Sequence, residues 1–255
     1  MNRLQQLFAT KRKDILSIYY TAGYPNLGDT LEIAEALEKA GADFLEIGFP
    51  YSDPVADGPV IQASSKQALD NGMTLQLLFE QLKDLRKHIS IPILLMGYVN
   101  PVLQYGVANF CKACQEVGVD GCIIPDLPMY EYEEMYQQCF KEHGISNIFL
   151  VTPQTSEERI RKIDGLSTAF IYLLSSAATT GKNLDVSEEA RKYFTRIKAM
   201  QLKNPLMIGF GISDKKTFDA ANEYASGAII GSAFVKCLTE GELTSNVTRF
   251  MKEFK

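Results

Sequence analysis

The sequence predicts an α/β fold, a single (β/α)8 barrel of the TIM type with an extra helix at the N-terminus. Short apolar, β-branched runs alternate with amphipathic stretches along the whole chain, as they do in such barrels. The 255 residues and the 46% hydrophobic content suit one large domain, and no linker or composition break divides it. We therefore expect residues 1–255 to form one barrel domain.

Eight strands are expected where an apolar run ends in a polar residue or a glycine. The first, ILSIYYTAG, ends at a glycine, and the second, DFLEIGF, precedes a loop rich in proline. In chain order the eight predicted strands cover residues 15–23, 43–49, 92–98, 121–126, 146–151, 169–175, 205–211 and 226–232.

Helices are expected between the strands. Several of these segments open on Thr, Ser or Asp with Glu soon after, which are the residues that cap helix N-termini. A doubly wound open sheet is the alternative fold, but it rarely has eight evenly spaced strands, and no G-x-G-x-x-G follows the first strand. The predicted extra helix covers 3–12, and the other helices include 30–41, 74–88, 132–144, 156–164 and 187–200.

Composition narrows the class of partner. A net charge of −5 with 22% charged residues argues against nucleic acid or an anionic membrane. No run of 18 apolar residues suggests a membrane span, and the first residues, MNRLQQLFATKRK, lack the apolar region of a signal peptide. We therefore expect a soluble, cytoplasmic protein.

Cysteine and histidine offer little chemistry in this chain. The five cysteines are scattered and odd in number, which argues against a disulfide framework. Cys111 and Cys114 form C-x-x-C, but their stretch has helical apolar spacing, so we interpret them as partly buried helix thiols rather than a redox or zinc site. His88 and His143 stand at expected exposed helix ends, which argues against a Ser–His–Asp triad.

A barrel of this type carries its chemistry at the carboxyl ends of the strands. No lysine stands there, which argues against a Schiff-base aldolase, because that reaction needs a desolvated lysine at such a position. The residues at the predicted strand ends are Thr21, Glu46, Tyr98, Asn100, Asp126, Thr152, Ser175, Phe210, Gly211, Gly231 and Ser232.

Glu46 is an acid inside an otherwise apolar strand. Because strand side chains alternate, Glu46 shares a face with Phe44 and Gly48, while Leu45 and Ile47 suit the layer under the helices. Burial inside the barrel would raise its pKa and let it donate and accept a proton near neutral pH. The alternative is a buried ion pair, but no Lys or Arg ends a neighbouring strand, so we predict catalysis.

The loop after this strand, PYSDPVADGP, is long but stiff. Prolines follow Asp53 and Gly58, and each proline restricts both itself and the residue before it, which suits a loop that holds Asp57 in place. Ordinary turn roles for Asp53 and Asp57 remain an alternative. A metal site from Glu46, Asp53, Asp57 and Asp126 is conceivable, but their spacing matches no metal motif and we expect no metal.

Three late segments, at 178–183, 209–213 and 229–234, place glycine beside Ser or Thr just after a strand. Loops in this part of a barrel often bind phosphate through backbone N–H groups, which predicts a small phosphorylated substrate. Apolar walls for a ring between the phosphate and Glu46 would come from Tyr19, Ile61, Tyr98, Tyr172 and Phe210.

The stretch LEIGFPYSDPVADGPVIQ resembles the signature of the tryptophan synthase alpha subunit family, which reads LE-x-G-x-P-[FY]-SDP-x-ADGP. The resemblance continues in order across nearly the whole chain, and the SDP-x-ADGP run is its most specific part. The further segments that carry it are TAGYP, GYVNPVLQYG, GVDGCIIPDLP, TTGKN, GFGIS and GSAFVK.

This resemblance implies a barrel that splits indole-3-glycerol phosphate into indole and glyceraldehyde 3-phosphate by a retro-aldol step. Glu46 matches the general acid and base, which protonates indole C3 and handles the hydroxyl proton of the substrate. Asp57 matches the carboxylate that holds the indole N–H. Substrate-binding positions of the family are matched by Tyr98, Tyr172, Thr180, Gly181, Phe210, Gly211, Gly231 and Ser232.

The resemblance also implies a partner. In the family, indole passes through a tunnel to a beta subunit that holds pyridoxal phosphate, so this chain is expected to carry no cofactor and to join an alpha2-beta2 heterotetramer. The positions that match the contact with the beta subunit are Asp53, Pro54, Asn100 and Pro128.

One loop departs from the family pattern. Where the family commonly reads S-x-x-G-V-T-G, this chain reads SSAATTG, with Ala178 for Gly and Thr179 for Val. Losing that glycine restricts φ, which leaves open a poorly active barrel that mainly serves as allosteric partner of a beta subunit. A second alternative is another phosphate-binding isomerase or synthase of tryptophan biosynthesis, although the SDP-x-ADGP loop argues against it.

Overall fold

A computed structural model describes residues 1–174, 188–209, 211–239 and 241–254. Its centre is a sheet of nine parallel strand segments in the order β5-β4-β3-β2-β1-β9-β8-β7-β6. The segments are β1 Ile15–Thr21, β2 Phe44–Gly48, β3 Ile93–Met96, β4 Gly121–Ile123, β5 Ser146–Ile148, β6 Leu150–Val151, β7 Ile171–Leu174, β8 Leu206–Gly209 and β9 Gly227–Ile230.

The sheet closes into the predicted barrel. Both ends of the pairing order fall on the predicted strand 146–151, which is split at Phe149: β5 pairs with β4, and β6 pairs with β7. All eight predicted strands are therefore present, and each observed strand lies within its predicted range.

Helices follow the strands around the barrel, as the alternating pattern predicted. The predicted helix 74–88 is broken by a 3-10 turn at Leu82–Asp84, and the predicted helix 132–144 contains a π-helical turn at Tyr132–Tyr136. The α-helices are α1 Arg3–Thr10, α2 Thr30–Lys39, α3 Pro59–Asp70, α4 Leu75–Gln81, α5 Leu85–His88, α6 Val99–Tyr105, α7 Val107–Val117, α8 Met129–Glu131, α9 Gln137–Glu142, α10 Glu157–Leu166, α11 Glu188–Ala199, α12 Lys215–Asn222, α13 Ser232–Cys237 and α14 Leu243–Lys252.

The core has two layers, which separate the two faces of β2. Leu45 and Ile47 belong to the large cluster that includes residues of the surrounding helices. Phe44 belongs to the smaller cluster that fills the barrel interior with Leu94 and Ile123. The predicted orientation of this strand is therefore confirmed, and Glu46 faces the interior with Phe44.

The N-terminal helix closes the barrel at the end where the strands begin. Leu4 and Phe8 of α1 are buried in the interior cluster, and the Phe8 ring lies 5.3 Å from that of Phe170 and 6.2 Å from that of Phe44. Asn2 caps this helix with a capping box. Helix α1 therefore packs as part of the core, and the opposite end of the barrel is left for chemistry.

Cys111 and Cys114 lie on α7, as their spacing predicted, but both are fully rather than partly buried. Burial raises the pKa of the Cys114 thiol well above its ordinary value, which makes it a poor nucleophile. His88 is exposed at the end of α5, and His143 is half-buried after α9. Among the described helices, none is long and apolar enough to cross a membrane.

Candidate active site

Glu46 lies at the centre of the candidate site and is completely buried. It pairs with Tyr19 of β1 on one side and with Leu94 of β3 on the other. Neither carboxyl oxygen has a hydrogen-bond partner within the described parts of the chain, so no ion pair of the kind considered as the alternative is seen there. Burial raises the pKa of Glu46 to about 8, which keeps the acid protonated at neutral pH.

Two tyrosines enclose this acid. The phenol of Tyr19 occupies the space that a Cβ at Gly48 would need, and the phenol of Tyr172 does the same at Gly209. Burial raises the pKa of Tyr19 far above its ordinary value, and the nearby carboxyls of Asp57 and Glu46 raise it further. Both hydroxyls therefore stay neutral, and the glycines give the rings room at the barrel mouth.

Asp57 is held by the loop between β2 and α3, as the prolines predicted. Its N–H donates to the carbonyl of Pro54 at 3.1 Å, and its own carbonyl accepts from Gln62 Nε2 at 2.8 Å. Pro59 is the first residue of α3, where its fixed φ suits the start of a helix. The backbone of Asp57 is therefore fixed by hydrogen bonds to Pro54 in the loop and to Gln62 in α3.

Tyr98 connects this loop to the end of β3. Its hydroxyl donates to Asp57 Oδ2 at 3.0 Å and accepts from the N–H of Ala56, also at 3.0 Å. Burial raises the pKa of Asp57 to about 6, although the bond from Tyr98 lowers it. Asp57 is therefore largely ionised at neutral pH, while Glu46 is largely protonated.

A narrow pocket of about 10 Å³, the space of roughly one water molecule, lies among these groups. Of the predicted wall residues, Tyr19 and Tyr98 line it with Asp57, and Ile61 is buried on the first turn of α3. Its other lining residues are Phe49, Tyr51, Ser65, Met96, Gly97 and Pro125.

A buried pair of hydroxyls lies beside this pocket, and of the two only Thr21 was expected, as a strand-end residue. Thr21 Oγ1 and Ser64 Oγ lie 2.7 Å apart, and Thr21 Oγ1 is 3.4 Å from Tyr19 Oη. Helical spacing was the available signal, because Ser64 and Ser65 follow Ile61 by three and four residues and so share its face of α3.

The predicted phosphate-binding residues are only partly described. Gly211 has φ +80°, the conformation that favours glycine, and Gly231 and Ser232 stand at the start of α13, directly after β9. Thr180, Gly181 and Phe210 lie outside the described residues, as does the unusual pair Ala178 and Thr179.

The predicted partner positions lie together at the carboxyl ends of β2, β3 and β4, which are neighbours in the sheet. Asp53, Asn100 and Pro128 are exposed and Pro54 is half-buried. Three large apolar side chains are exposed on the same loops and helices: Val55 (80% exposed), Leu103 (46%) and Tyr130 (64%).

As for metals, the described ranges contain no cluster of three or more His, Cys, Asp or Glu side chains arranged to hold an ion. The acids Glu46, Asp53, Asp57 and Asp126 therefore do not form such a cluster. Asp126 instead accepts a hydrogen bond from the N–H of Val99 at 2.8 Å.

Comparisons with known proteins agree with one another. A sequence model of a family described as "Tryptophan synthase alpha chain" matches residues 4–254. The tryptophan synthase alpha chain of Flavobacterium psychrophilum is 58% identical over 253 residues, 99% of this chain and 99% of that protein. That of Christiangramia forsetii is 57% identical over 255 residues, covering 100% of this chain and 99% of the relative.

Solved structures give the same result. The tryptophan synthase subunit alpha of Legionella pneumophila str. Paris superposes with a TM-score of 0.90 at 33% identity, covering 100% of this chain and 97% of that one. A chain of M. tuberculosis tryptophan synthase in its "aminoacrylate-bound form" superposes with a TM-score of 0.87 at 30% identity, covering 100% and 98%.

Proposed function

The chain belongs to the tryptophan synthase alpha chain family, and from that premise we propose that Glu46 and Asp57 carry out its lyase reaction at the barrel mouth. It is a lyase of tryptophan biosynthesis with the role of an alpha subunit. The reaction is the retro-aldol cleavage of indole-3-glycerol phosphate. This assignment replaces the alternative of another barrel isomerase or synthase.

In this proposal Glu46 moves two protons. Its neutral carboxyl first donates a proton to C3 of the indole ring, and the resulting carboxylate then accepts the proton of the substrate hydroxyl as the carbon–carbon bond breaks. The bonding electrons return to the ring, and indole and glyceraldehyde 3-phosphate are formed. A pKa of about 8 suits both steps, because the group is protonated at the start and still able to accept afterwards.

Asp57 has the complementary role. Protonation at C3 places positive charge on the ring, centred on its nitrogen, and a carboxylate accepting the indole N–H stabilises that charge. Asp57 suits this because its pKa of about 6 leaves it ionised at neutral pH, and because the loop and Tyr98 hold it in place. The two acids are thus separated in protonation state by their surroundings.

The rest of the substrate would lie between aromatic walls and backbone donors. We assign the ring walls to Tyr19, Ile61, Tyr98 and Tyr172. The phosphate would bind to glycine-rich backbone, with neutral N–H groups in place of basic side chains. The residues we assign to it are Thr180, Gly181, Phe210, Gly211, Gly231 and Ser232.

A beta subunit is the partner that the family implies. We propose an alpha2-beta2 heterotetramer in which the pyridoxal phosphate belongs to the beta subunit. The contact would use Asp53, Pro54, Asn100 and Pro128, and a beta subunit bound there would cover the exposed apolar side chains Val55, Leu103 and Tyr130 on the same loops and helices. The cytoplasmic location expected from the sequence is part of the same proposal.

One observation carries the catalytic proposal: Glu46 is completely buried on the interior face of β2 with no hydrogen-bond partner among the described residues. We expect Glu46→Gln to lower indole release from indole-3-glycerol phosphate by roughly 10²–10⁴-fold, the range for a lost general acid–base. The exposed Glu32 of α2 provides the control Glu32→Gln, which should keep full activity.

The assay is run with and without a beta subunit. We expect slow release from the chain alone and clear acceleration by the partner. If the wild-type chain turned over only at the Glu46→Gln rate in both cases, the function would be that of an allosteric partner. Full activity of Glu46→Gln would remove Glu46 from the mechanism.

A further inference from the structure

We propose that Tyr98 is a positioning residue for Asp57: its hydroxyl fixes the carboxylate at the barrel mouth and favours its charged form. This inference deepens the proposed function and rests on it, because it takes Asp57 as the group that faces the indole nitrogen. It assigns Tyr98 a second role besides that of a pocket wall.

The geometry places the Tyr98 hydroxyl between two consecutive residues of the loop. It donates to Asp57 Oδ2 and accepts from the N–H of Ala56, each at 3.0 Å. Tyr98 itself is only 5% exposed and stands at the N-cap of α6, directly after β3. A rigid, buried side chain on the barrel thus holds the loop at the residue that matters for chemistry.

The direction of these bonds determines what Tyr98 does to Asp57. A phenol has a single proton, and an ionised carboxylate can only accept hydrogen bonds. A donor to the carboxylate stabilises its charged form. Because Tyr98 occupies Oδ2, the other oxygen of Asp57 remains for the indole N–H.

Among the described side chains around Asp57, Tyr98 is the one that stabilises its charged form. The titratable side chains that the structure describes near it are Tyr19 on β1, Glu46 on β2, Tyr172 on β7 and Tyr51 in its own loop. None of these four is cationic. Burial alone would therefore favour the neutral acid, and the Tyr98 hydroxyl opposes burial by lowering the pKa of Asp57.

The test compares wild type with Tyr98→Phe in complex with the cognate beta subunit, measuring kcat/KM for indole-3-glycerol phosphate from pH 5 to 9. The wild-type acidic limb is expected near pH 6, the pKa of Asp57. Losing a hydrogen bond to a charged group should move this limb up by about one pH unit, so the loss of activity is greatest at low pH. Both proteins use the same substrate, so the ionisation of its phosphate affects both pH profiles equally and does not contribute to the difference between them.

Three further variants separate the outcomes. Tyr20→Phe removes another buried hydroxyl, which donates to the Thr30 carbonyl on the outer side of β1, and should leave the limb in place. Asp57→Asn should abolish most activity; if it does not, the proposed function fails. Incorporation of 3-fluorotyrosine at Tyr98 keeps the shape but strengthens the donor, and should move the limb to lower pH.

An acidic limb that stays at the wild-type pH in both Tyr98 variants, while Asp57→Asn is inactive, would overturn this inference alone. A poorly folded Tyr98→Phe protein would leave the fluorotyrosine shift to decide the result.

Discussion

The phenol of Tyr19 occupies the place where a side chain at Gly48 would begin. Tyr19 and Glu46 are paired across β1 and β2, and Gly48 lies two residues beyond Glu46 on the same face of the strand. The missing side chain therefore lets the tyrosine ring pack over the buried acid. A small residue outside the chemistry thus helps to set the environment of Glu46.

Gly48→Ala is expected to displace this ring. A Cβ would overlap the Tyr19 phenol, the ring would have to move, and water would reach Glu46. Since burial is what raises the pKa of Glu46 to about 8, hydration should lower it, and the basic limb of kcat/KM should move to lower pH. We expect activity at pH 7.5 to fall by about tenfold or more.

Gly28→Ala is the matched control, because a Cβ at Gly28 meets open space. It should leave both the activity and the pH profile unchanged. A Gly48→Ala protein with a wild-type basic limb would contradict the screening role of Tyr19.

The sequence alone predicts those features of the site that depend on a few neighbouring residues. The alternation of side chains along FLEIG was enough to predict that Glu46 faces the barrel interior. The prolines on either side of Asp57 were enough to predict a stiff loop. Both rules act over a few neighbouring residues. Helical spacing, which is equally local, could also have placed Ser64 on the face of Ile61.

The contacts that tune the site were beyond such rules. Tyr98 bonds to Asp57 across 41 residues, and no local pattern links a tyrosine after β3 to a loop after β2. Likewise, the sequence placed Gly48 on the face of Glu46 and Gly209 in a glycine segment expected to bind phosphate, but it did not show that these glycines make room for Tyr19 and Tyr172. Such pairings depend on the register between strands, which is set by the whole sheet.

Stability should report the ionisation of Glu46 independently of catalysis. Its pKa is raised from 4.5 to about 8 on folding, so the folded state binds the extra proton, and stability is lost as pH rises from about 4.5 to 8. Asp57, raised from 3.8 to about 6, acts with the same sign at lower pH. The loss due to Glu46 has an upper bound of about 5 kcal/mol by linkage.

The measurement is the free energy of unfolding by urea at several pH values for wild type and Glu46→Gln. We expect the difference between the two proteins to change steadily between pH 5 and 8 in favour of the variant. A difference that is constant over this range would mean that Glu46 is not neutral in the folded state.

Asp120 should matter for folding and not for chemistry. It is 1% exposed just before β4, at the end of the barrel opposite Glu46, where it accepts from Arg86 Nη2 at 2.7 Å and from the N–H of Ile93 at 3.0 Å. Asp120→Ala removes this ion pair and leaves the buried N–H of Ile93 without its acceptor, whereas Arg86 still donates to the carbonyls of Gly118 and Ile91. The variant should therefore cost about 1–3 kcal/mol in the free energy of unfolding, the range for a buried polar group that loses its partner.

The exposed pair of Lys66 and Asp70 offers the comparison. Its two atoms lie 2.6 Å apart, but both side chains are solvent-exposed, so Asp70→Ala should cost less than about 1 kcal/mol. Under conditions where Asp120→Ala is folded, its kcat for indole release should equal that of wild type. A reduced kcat in that folded protein would show coupling between the two ends of the barrel.

Tyr130 lies on the face of the barrel that carries the predicted partner positions. Tyr130 is 64% exposed two residues after Pro128, and tyrosine is among the residues that most often dominate protein interfaces. If this face binds the beta subunit, Tyr130→Ala should weaken binding by about tenfold or more, which isothermal titration calorimetry would measure. Lys112→Ala on α7, which removes an exposed side chain and its surface ion pair with Glu116, should bind like wild type. Tyr130→Ala should also keep the slow indole release of the chain alone while losing its acceleration at limiting beta subunit, because Tyr130 is exposed at the surface whereas Glu46 is completely buried. If Tyr130→Ala and Leu103→Ala both bound the beta subunit with wild-type affinity, the beta subunit would bind on another surface.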